Sequence, residues 1–325
     1  MLLESSEAPL FCQKEGSCVV NYALKRILWM LVTLFFIVLI TFIINFVVPG
    51  DPARTIAGPK ASPQVIQTIR DKFGLNKPLP IQFENYVGRL VLHGDLGQSY
   101  RTQDSVTQRI EKAFPKTLFL GLCIFCMNII LGVPLGIYAA IKRDKIPDKL
   151  ILILSLVGNS APVFWTGYLL LFFVGYKLNL LPIGGFGYDQ HVLLPALTVS
   201  LASAAGYVRV VRASMLEVLG SDYVRTARAK GLSEVKVVLK HAFRSTMIPI
   251  VTYAGTDLGT LMGGLIVTEG IFGWPGIGML AVTAIGYQDM PMIMGTVLVA
   301  ALGVVVANFV VDLLYAAVDP RISYN

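Results

Sequence analysis

Charged residues are scarce in this 325-residue chain, at 14% of the total against 55% hydrophobic residues. Soluble domains carry about 25% charged residues, so the composition excludes an ordinary soluble protein and indicates a polytopic membrane protein. A phosphate-binding loop of the form GxxxxGKS or GxxxxGKT is also missing. Because that loop is what cradles nucleotide phosphates, this chain is not expected to hydrolyse ATP.

Cysteine and histidine are few, at four and three residues. Cys12 and Cys18 lie in the N-terminal tail, and the CxxC pair Cys123 and Cys126 lies inside an apolar run with no second ligand pair nearby. We interpret the two cysteines of the CxxC pair as ordinary apolar residues of a membrane helix and expect no metal site. The net charge of +7 does not indicate nucleic acid, because the cations cluster beside apolar runs.

The sequence also argues against catalysis within the membrane. Asp257 and Asp312 are the aspartates that could be paired, but neither has the GxGD context of an aspartyl protease. None of the three histidines falls in the middle of an apolar run. We therefore expect no catalytic residue.

Long apolar runs dominate what remains. Residues 27–48 are 22 residues without a charge, which as a helix span roughly 33 Å, enough to cross a bilayer. We expect a retained span rather than a signal peptide, because the run is too long and no small-residue cleavage site follows. Further spans are predicted at about 117–141, 150–176, 191–208, 247–270 and 292–315.

The distribution of lysine and arginine predicts the orientation. Loop 142–149 holds four cations and segment 209–246 holds eight, whereas 177–190 holds one and 271–291 none. We expect an all-α bundle of six spans with both termini cytoplasmic. The predicted parts are a tail at 1–26, the first span at 27–48, an external helical segment at 49–116 and a five-helix core at 117–325.

The external segment shows helical periodicity twice, at 63–75, where Gly74 ends the pattern, and at 81–91. These helices are predicted to lie on the membrane surface or to pack on the ends of the spans. Docking of an external partner and a merely solvated folded loop are both compatible with the pattern.

A polar block at 216–246 interrupts the apolar runs and still has helical periodicity. Its first helix is predicted over 216–229 and ends at Gly231, since glycine adopts the left-handed conformation at little cost. The apolar face of this helix comprises Leu216, Leu219, Tyr223 and Ala227. Ser233 is a candidate cap for a second helix, whose apolar face comprises Val235, Val238, Leu239 and Ala242. Such a block suits either anionic lipid or a soluble partner.

The stretch RTARAKG (225–231) resembles the EAA loop of the permease subunits of binding-protein-dependent ABC importers, in the variant found in the peptide/nickel branch. Arg225-Thr226-Ala227 replaces the general Glu-Ala-Ala, so only the last alanine and Gly231 match the wider family. Other stretches similar to the dipeptide and oligopeptide permease B-type subunits are PGDPA (49–53), FGLNKPLPIQF (73–83), GDLGQS (94–99), GNSAPVFW (158–165), EGIFGWPGIG (269–278) and DPRI (319–322).

The resemblance implies a set of partners. These are a homologous second permease in a heterodimer, two ABC ATPase subunits that use ATP and Mg²⁺, an extracytoplasmic substrate-binding protein and membrane lipid, with no cofactor bound by this chain. It also implies location in the inner membrane of a prokaryote. Residues 219–231 are the expected coupling helix, with contacts from Asp222, Tyr223, Arg225, Thr226, Ala227 and Arg228 and an exit angle set by Gly231.

Polar residues inside apolar runs are candidates for the translocation path, because burying a charge in a membrane is costly. Asp257 either lines the path or pairs with a basic or hydroxyl group, and Glu269 has a gating or a structural role. Asn159 and Ser160 precede Pro162, where a kink is expected. The glycines of the fifth span (Gly255, Gly259, Gly263 and Gly264) suit close packing, including packing against the second permease.

The cargo is predicted to be a di- or oligopeptide, with glutathione, nickel and metal chelates as alternatives within the same importer type. The binding protein selects cargo in such importers, and it is a separate chain. A gradient-driven secondary carrier is the alternative from another class, although such carriers often show an internal repeat of their spans.

Overall fold

A computed structural model describes residues 15–47, 51–58, 61–263 and 265–318. Within these ranges the chain is almost entirely helical, and the only pairing of extended backbone is an isolated bridge between Gln98 and Ser105. The helices are α1 Glu15–Val47, α2 Pro52–Ala57, α3 Pro63–Phe73, α4 Leu79–His93, α5 Val106–Ile141, α6 Ile146–Ser160, α7 Val163–Leu170, α8 Leu193–Leu219, α9 Asp222–Ala229, α10 Glu234–Lys236, α11 Phe243–Gly263, α12 Ile266–Phe272, α13 Ile277–Gly286 and α14 Met290–Val318. Two π-helical segments, Leu171–Lys177 and Val237–Ala242, continue α7 and α10. The predicted all-α class is confirmed.

Some features discussed from the sequence lie outside the described residues. These are Cys12, the first two residues of PGDPA, Gly264, the closing DPRI and the side chains of Cys18 and Asp312.

Four helical stretches in the described ranges are long and apolar enough to cross a membrane: Lys25–Ile44, Val106–Ile141, Gln190–Leu219 and Met290–Val311. Two bent pairs bring the number to six if each pair counts as one span, Ile146–Ser160 with Val163–Lys177 and Glu234–Met262 with Ile266–Phe272. The chain is therefore a helical polytopic protein with four to six candidate spans.

Several helices are longer than the spans predicted within them, because segments that contain charged residues continue the helices beyond their apolar parts. The helix of the second span begins at Val106, before 117, and the helix of the fourth continues to Leu219, beyond 208. Arg209 and Arg212 lie inside that extension. In the third span the expected kink is a bend of 104° between Ser160 and Val163. Pro162 lacks a backbone donor and disfavours helical geometry in the residue before it, which accounts for the break.

The centre of the bundle is the contact between α5 and α8. A Cβ added to Gly136 would lie 2.7 Å from Cβ of Val211 and 3.0 Å from the carbonyl oxygen of Val208. Gly132, one turn earlier, has a similarly close contact with α8 at Tyr207. Small residues four positions apart let two helix backbones approach closely within a membrane. The sequence GVPLG at 132–136 thus fixes the two helices side by side.

The bundle has two ends, which we name by the helices that lie there. At the α9 end, Ala140 and Met215, near the C-terminal ends of α5 and α8, share an apolar cluster with Val224 of α9. At the α4 end, Leu96 of the loop after α4 packs with Val106 of α5 and Ile277 of α13. Because α5 has 36 residues, the two ends are roughly 54 Å apart along that helix.

The two helices predicted in the segment after the first span are confirmed. Ser62 caps α3 through its side chain, and Gly74 ends α3 with a φ of 66°. Tyr86 of α4 lies in an apolar cluster with Val38 of α1 and Met294 of α14. The helix α4 therefore packs on the ends of two spans, whereas α3 has no buried residue.

The glycines of α11 pack against α14 of the same chain. A Cβ on Gly255 would collide with Val311, and one on Gly259 would lie 2.5 Å from the side-chain oxygen of Asn308. Close packing was the expectation, but at these two glycines the structure supplies the neighbour from within the chain. The suggested contact with a second permease is wrong for them.

Candidate functional site

The helix α9 is held to the bundle by two small apolar side chains. Val224 is fully buried and Ala227 is nearly so, and both belong to the cluster that contains Val237, Val238 and Met215. Burying a valine side chain contributes about 1.5–3 kcal/mol. This anchor ties the position of α9 to the ends of α5, α8 and α11.

A tight elbow follows α9, as the sequence predicts. Gly231 has a φ of 75°, and its backbone N–H donates to the carbonyl oxygen of Arg228 at 2.9 Å. The guanidinium of Arg228 donates to both carboxylate oxygens of Glu234, at 2.8 and 3.4 Å. This ion pair crosses the elbow and joins α9 to α10, so Arg228 is already engaged within the chain.

The opposite face of α9 is exposed. Arg225 and Asp222 form an ion pair at 3.3 Å, with side chains 77% and 95% exposed. Tyr223 is about half exposed, and the hydroxyl of Thr226 donates to the carbonyl oxygen of Asp222 at 2.9 Å. Exposed ion pairs contribute little to stability, so these side chains are free to be reorganised by another surface.

The detailed face assignments for the polar block are partly wrong. The predicted helix over 216–229 is two helices, because α8 ends at Leu219 and α9 begins at Asp222. Tyr223 is consequently exposed, and Val224 takes the buried position. In the next helix Val238 and Ala242 are buried as predicted, whereas Val235 and Leu239 are exposed and Val237 is buried.

Ser233 occupies the N-cap position of α10, as predicted. Its side chain makes no capping hydrogen bond, however. The start of this helix therefore depends on the Arg228–Glu234 pair and on packing rather than on the serine hydroxyl.

A buried ion pair links α6 to α8 near the α9 end. Nε and Nη2 of Arg212 donate to the two carboxylate oxygens of Asp148, at 2.6 and 2.7 Å. The Asp148 side chain is 2% exposed, and its Oδ2 also accepts from the backbone N–H of Asp144. Bidentate arginine–carboxylate pairs fix orientation as well as distance. The pair thus fixes the start of α6 against the helix that leads into α9.

Asp257 lies in the middle of the bundle with two polar partners. Its Oδ2 accepts from Nδ2 of Asn128 on α5 and from the hydroxyl of Tyr207 on α8, both at 3.0 Å. Asp257 is 8% exposed. Of the two sequence interpretations, these contacts are those of a residue paired with a neighbouring hydroxyl. A place on the translocation path stays a prediction.

Glu269 is fully buried at the end of the α11–α12 pair nearer the α4 end. One carboxylate oxygen accepts from the hydroxyl of Thr117 on α5 at 2.6 Å, and the other from the backbone N–H of Met279 at 3.1 Å. Thr117 also accepts from the backbone N–H of Ile277 at 2.8 Å. Glu269 therefore joins α5, α12 and α13 in this chain, as the structural interpretation expects.

Asn159 and Ser160 lie at the last turn of α6, directly before the 104° bend. Both are exposed on the surface of the single chain. The structure does not bring them together with Asp257 or Glu269 by any hydrogen bond in the described ranges. Their role in the path stays a prediction.

Four residues that sequence reasoning missed complete these contacts: Asn128, Asp148, Tyr207 and Arg212. In the sequence, Asp148 is one residue of a cationic loop and Arg212 is one of the cations that predict the orientation. An arginine about two turns before the end of a helix, with a carboxylate at the start of a preceding span, is a signal for such a pair. Asn128 and Tyr207 gave no comparable signal, because single polar residues in apolar runs have many possible neighbours.

Two family models match the chain. The binding-protein-dependent transport system inner membrane component matches residues 132–324, and the N-terminal membrane component of the same systems matches residues 19–121. The chain belongs to this family of permeases. It is thus an inner-membrane component of a binding-protein-dependent ABC importer, whose ATPase and substrate-binding protein are partner chains, and it is not the ATPase.

Curated relatives and solved structures agree with this assignment. The chain is 43% identical over 307 residues to the glutathione transport system permease protein GsiC of Salmonella typhimurium, covering 94% of this chain and 100% of that protein. It is likewise 43% identical to GsiC of Escherichia coli K12 over the same coverage. A chain of the MetNI methionine ABC transporter matches 66% of this chain with a TM-score of 0.55 at 19% identity. This last match shows the permease fold alone.

Proposed function

We propose that this permease forms half of a translocation pathway, in a heterodimer with a homologous second permease, and that its cargo is glutathione or a closely related small peptide. The single observation that carries the cargo proposal is the 43% identity to GsiC over the full length of that protein. Glutathione was one of the alternatives left by the sequence, and this similarity moves it ahead of the di- and oligopeptides.

The topology belongs to the same proposal. Six spans with both termini in the cytoplasm bring the α9 end to the cytoplasmic face, where the ATPases lie, and the α4 end to the outer face. The uneven distribution of lysine and arginine supports this orientation. The two bent helix pairs must each act as one span for the number to be six.

In this arrangement α9 is the coupling helix. Its exposed face, with Asp222, Tyr223, Arg225 and Thr226, fits a groove on an ATPase subunit. Its buried face, with Val224 and Ala227, passes any movement of α9 to the bundle because both side chains lie in the apolar cluster that also holds residues of α5, α8 and α11. Asp257, Asn159 and Ser160 remain the candidates for the path itself.

Uptake by the reconstituted complex tests the cargo. The chain, its partner permease, the ATPases and the binding protein are placed in liposomes loaded with ATP, and accumulation of labelled glutathione is measured. We expect ATP-dependent accumulation, which unlabelled glutathione competes out and a dipeptide such as alanyl-alanine competes out weakly. Preferred uptake of the dipeptide would restore the first expectation from the sequence, and preferred uptake of nickel would identify a metal importer. Uptake driven by an ion gradient without ATP would contradict the importer mechanism altogether.

A further inference from the structure

An apolar groove lies at the α9 end, between the C-terminal ends of α5 and α8 and the helix that follows the elbow. Its volume is about 770 Å³. Ile141 of α5, Leu219 of α8, and Val235 and Leu239 of the helix after the elbow are among its apolar lining residues. Ile141, Val235 and Leu239 are each about half exposed or more. The groove is therefore open in the single chain, and none of the contacts described above fills it.

The groove lies where the apolar part of α5 ends. Ile141 is the last residue of α5, and the charged loop 142–149 follows it directly. Tyr138 and Leu135, about one and two turns earlier on α5, are exposed, as is expected of side chains that face lipid. The groove therefore opens at the level where hydrocarbon gives way to water, whichever side of the membrane the α9 end faces.

The charged residues beside the groove leave an excess of unpaired cations. The two flanking segments, 142–149 and 234–240, contain three carboxylates, and each of them pairs with an arginine: Asp144 with Arg143, Asp148 with Arg212 and Glu234 with Arg228. The same segments contain five lysines that form no ion pair with any described residue: Lys142, Lys145, Lys149, Lys236 and Lys240. The rim of the groove is therefore cationic after the internal pairs are taken into account.

Arg143 is a cation that lines the groove itself. Its Nε lies 3.2 Å from the exposed Asp144 carboxylate, and its terminal guanidinium nitrogens have no hydrogen-bond partner among the residues that the structure describes. The loop that carries it is held by hydrogen bonds from the backbone N–H of Lys145 to Lys142 and from that of Asp144 to the buried Asp148 carboxylate. A guanidinium fork with free nitrogens on a fixed loop matches the oxygens of a phosphate group.

The helix after the elbow has the composition of a helix at a membrane surface. Val235 and Leu239 are four positions apart and both line the groove, and each is followed directly by a lysine, Lys236 or Lys240. Lysine side chains lie along apolar surface while their ammonium groups reach water or headgroups. Apolar residues beside lysines on a surface helix favour anionic lipid.

We propose that this groove binds an anionic phospholipid. An acyl chain lies against Ile141, Val235 and Leu239, and the phosphate accepts hydrogen bonds from the Arg143 guanidinium. A soluble anion would leave the apolar wall exposed, and an uncharged amphiphile would leave the cations without a partner. Basic pockets between helices at the end of a span suit anionic headgroups in the same way. The binding of this lipid depends neither on the cargo nor on the orientation of the chain in the membrane.

Site-specific photocrosslinking in liposomes tests the proposal. Photoreactive benzoylphenylalanine replaces Leu239 in the assembled permease–ATPase complex, which is reconstituted in an equal mixture of dioleoylphosphatidylglycerol and dioleoylphosphatidylcholine. The ratio of the two crosslinked lipids is measured by mass spectrometry. We expect phosphatidylglycerol to be enriched about fivefold or more, because each basic side chain near a membrane surface raises the affinity for anionic lipid by about that factor.

Matched controls separate the groove from the bulk membrane. Ile153 is exposed in the middle of α6, so the same probe at that position should crosslink the two lipids in their bulk ratio. Arg143→Gln should lower the enrichment at position 239 several-fold. Lys112→Gln, which removes an exposed cation near the other end of α5, should leave the enrichment unchanged.

Three results would overturn the proposal. The probe at position 239 could crosslink to an ATPase subunit or to the second permease instead of lipid, the lipid ratio there could equal the ratio at Ile153, or Arg143→Gln could leave the ratio unchanged. If the variant at Leu239 does not assemble, Val235 is the second position for the probe. None of these results bears on glutathione uptake, so a failure of this proposal is distinct from a failure of the proposed cargo.

Discussion

At the α4 end, Glu269 and Asp289 are buried and join elements that are distant in sequence, whereas at the α9 end Asp222 and Arg225 are exposed and contact each other. Asp289 accepts from the hydroxyl of Ser99 and from the backbone N–H of Tyr100. The same residue types therefore serve two purposes in one molecule. Buried charges with complete hydrogen bonding hold the fold, and exposed charges leave a surface available to a partner.

The comparison explains why polar residues in an apolar sequence are poor guides to the path by themselves. Asp257 and Glu269 are candidates for the path in the sequence because charges in a membrane are costly. In this chain both are buried and satisfied by hydroxyl, amide or backbone donors from other helices. Substitutions at buried charges should therefore reduce stability, and substitutions at exposed charges should reduce coupling while leaving stability intact.

The largest expected effect is at the buried pair of Asp148 and Arg212. Asp148→Ala removes both charge-assisted hydrogen bonds of the Arg212 guanidinium, whose side chain is 21% exposed, so we expect a loss of about 3–4 kcal/mol in unfolding free energy. The measurement is denaturant or thermal unfolding of the purified complex. Replacing both residues by leucine should restore much of the loss, since no unpaired charge remains.

The matched control for that prediction is the exposed pair of Arg143 and Asp144, whose side chains are 65% and 80% exposed. Arg143→Ala should cost about 1 kcal/mol or less. Equal losses at the two pairs would contradict the view that burial decides the role of a charge in this chain.

The next effect is at Glu269. Glu269→Ala leaves the Thr117 hydroxyl and the Met279 backbone N–H without their acceptor in a buried place, which we expect to cost about 3 kcal/mol. Glu269→Gln keeps an acceptor and should cost less than half of that. Unfolding of the detergent-solubilised complex measures both variants. If Glu269→Ala has wild-type stability but altered transport, a gating role of Glu269 is indicated instead.

A smaller effect is expected at the elbow. Gly231→Ala places a Cβ at a φ of 75°, where nothing lies within 4 Å but the backbone itself is strained, and the cost is about 1–2 kcal/mol. Gly231→Asn is the control, because asparagine tolerates this conformation better. We expect Gly231→Ala to lower cargo-stimulated ATPase activity more than Gly231→Asn does. Equal activity of the two variants would show that the backbone conformation at residue 231 does not affect coupling.

The smallest effect on stability is expected at Arg225. A substitution there should change coupling much more than it changes the free energy of unfolding. Arg225→Ala removes an exposed ion pair, so the unfolding free energy should change by about 0.5 kcal/mol or less. Stimulated ATPase activity and uptake should nevertheless fall together if the exposed face of α9 is the surface for an ATPase, as we propose. Val224→Ala, on the buried face, should show the reverse order, with a clear loss of stability. If Arg225→Ala leaves coupling intact, the contact lies elsewhere on the chain.

The class of the molecule and the ends of several helices can be predicted from the amino-acid sequence alone. Uncharged runs long enough to cross a bilayer predict spans, Gly74 and Gly231 predict helix ends, and RTARAKG with its companion motifs indicates the family. These signals are local: periodicity, length and the conformational freedom of glycine depend on neighbouring residues along the chain. The structure confirms the helix ends at Gly74 and Gly231 because such local signals do not depend on tertiary packing.

Which polar residues are hydrogen-bonded inside the bundle and which are exposed depends on the packing of the helices. Asn128, Tyr207 and Asp257 come from three helices, and the Asp148–Arg212 pair joins residues 64 positions apart. In the helix that follows the elbow, Val235 is exposed and Val237 is buried, against the predicted face. The burial of a side chain and the identity of its partner depend on how helices pack, and no local pattern encodes the packing of one helix against another.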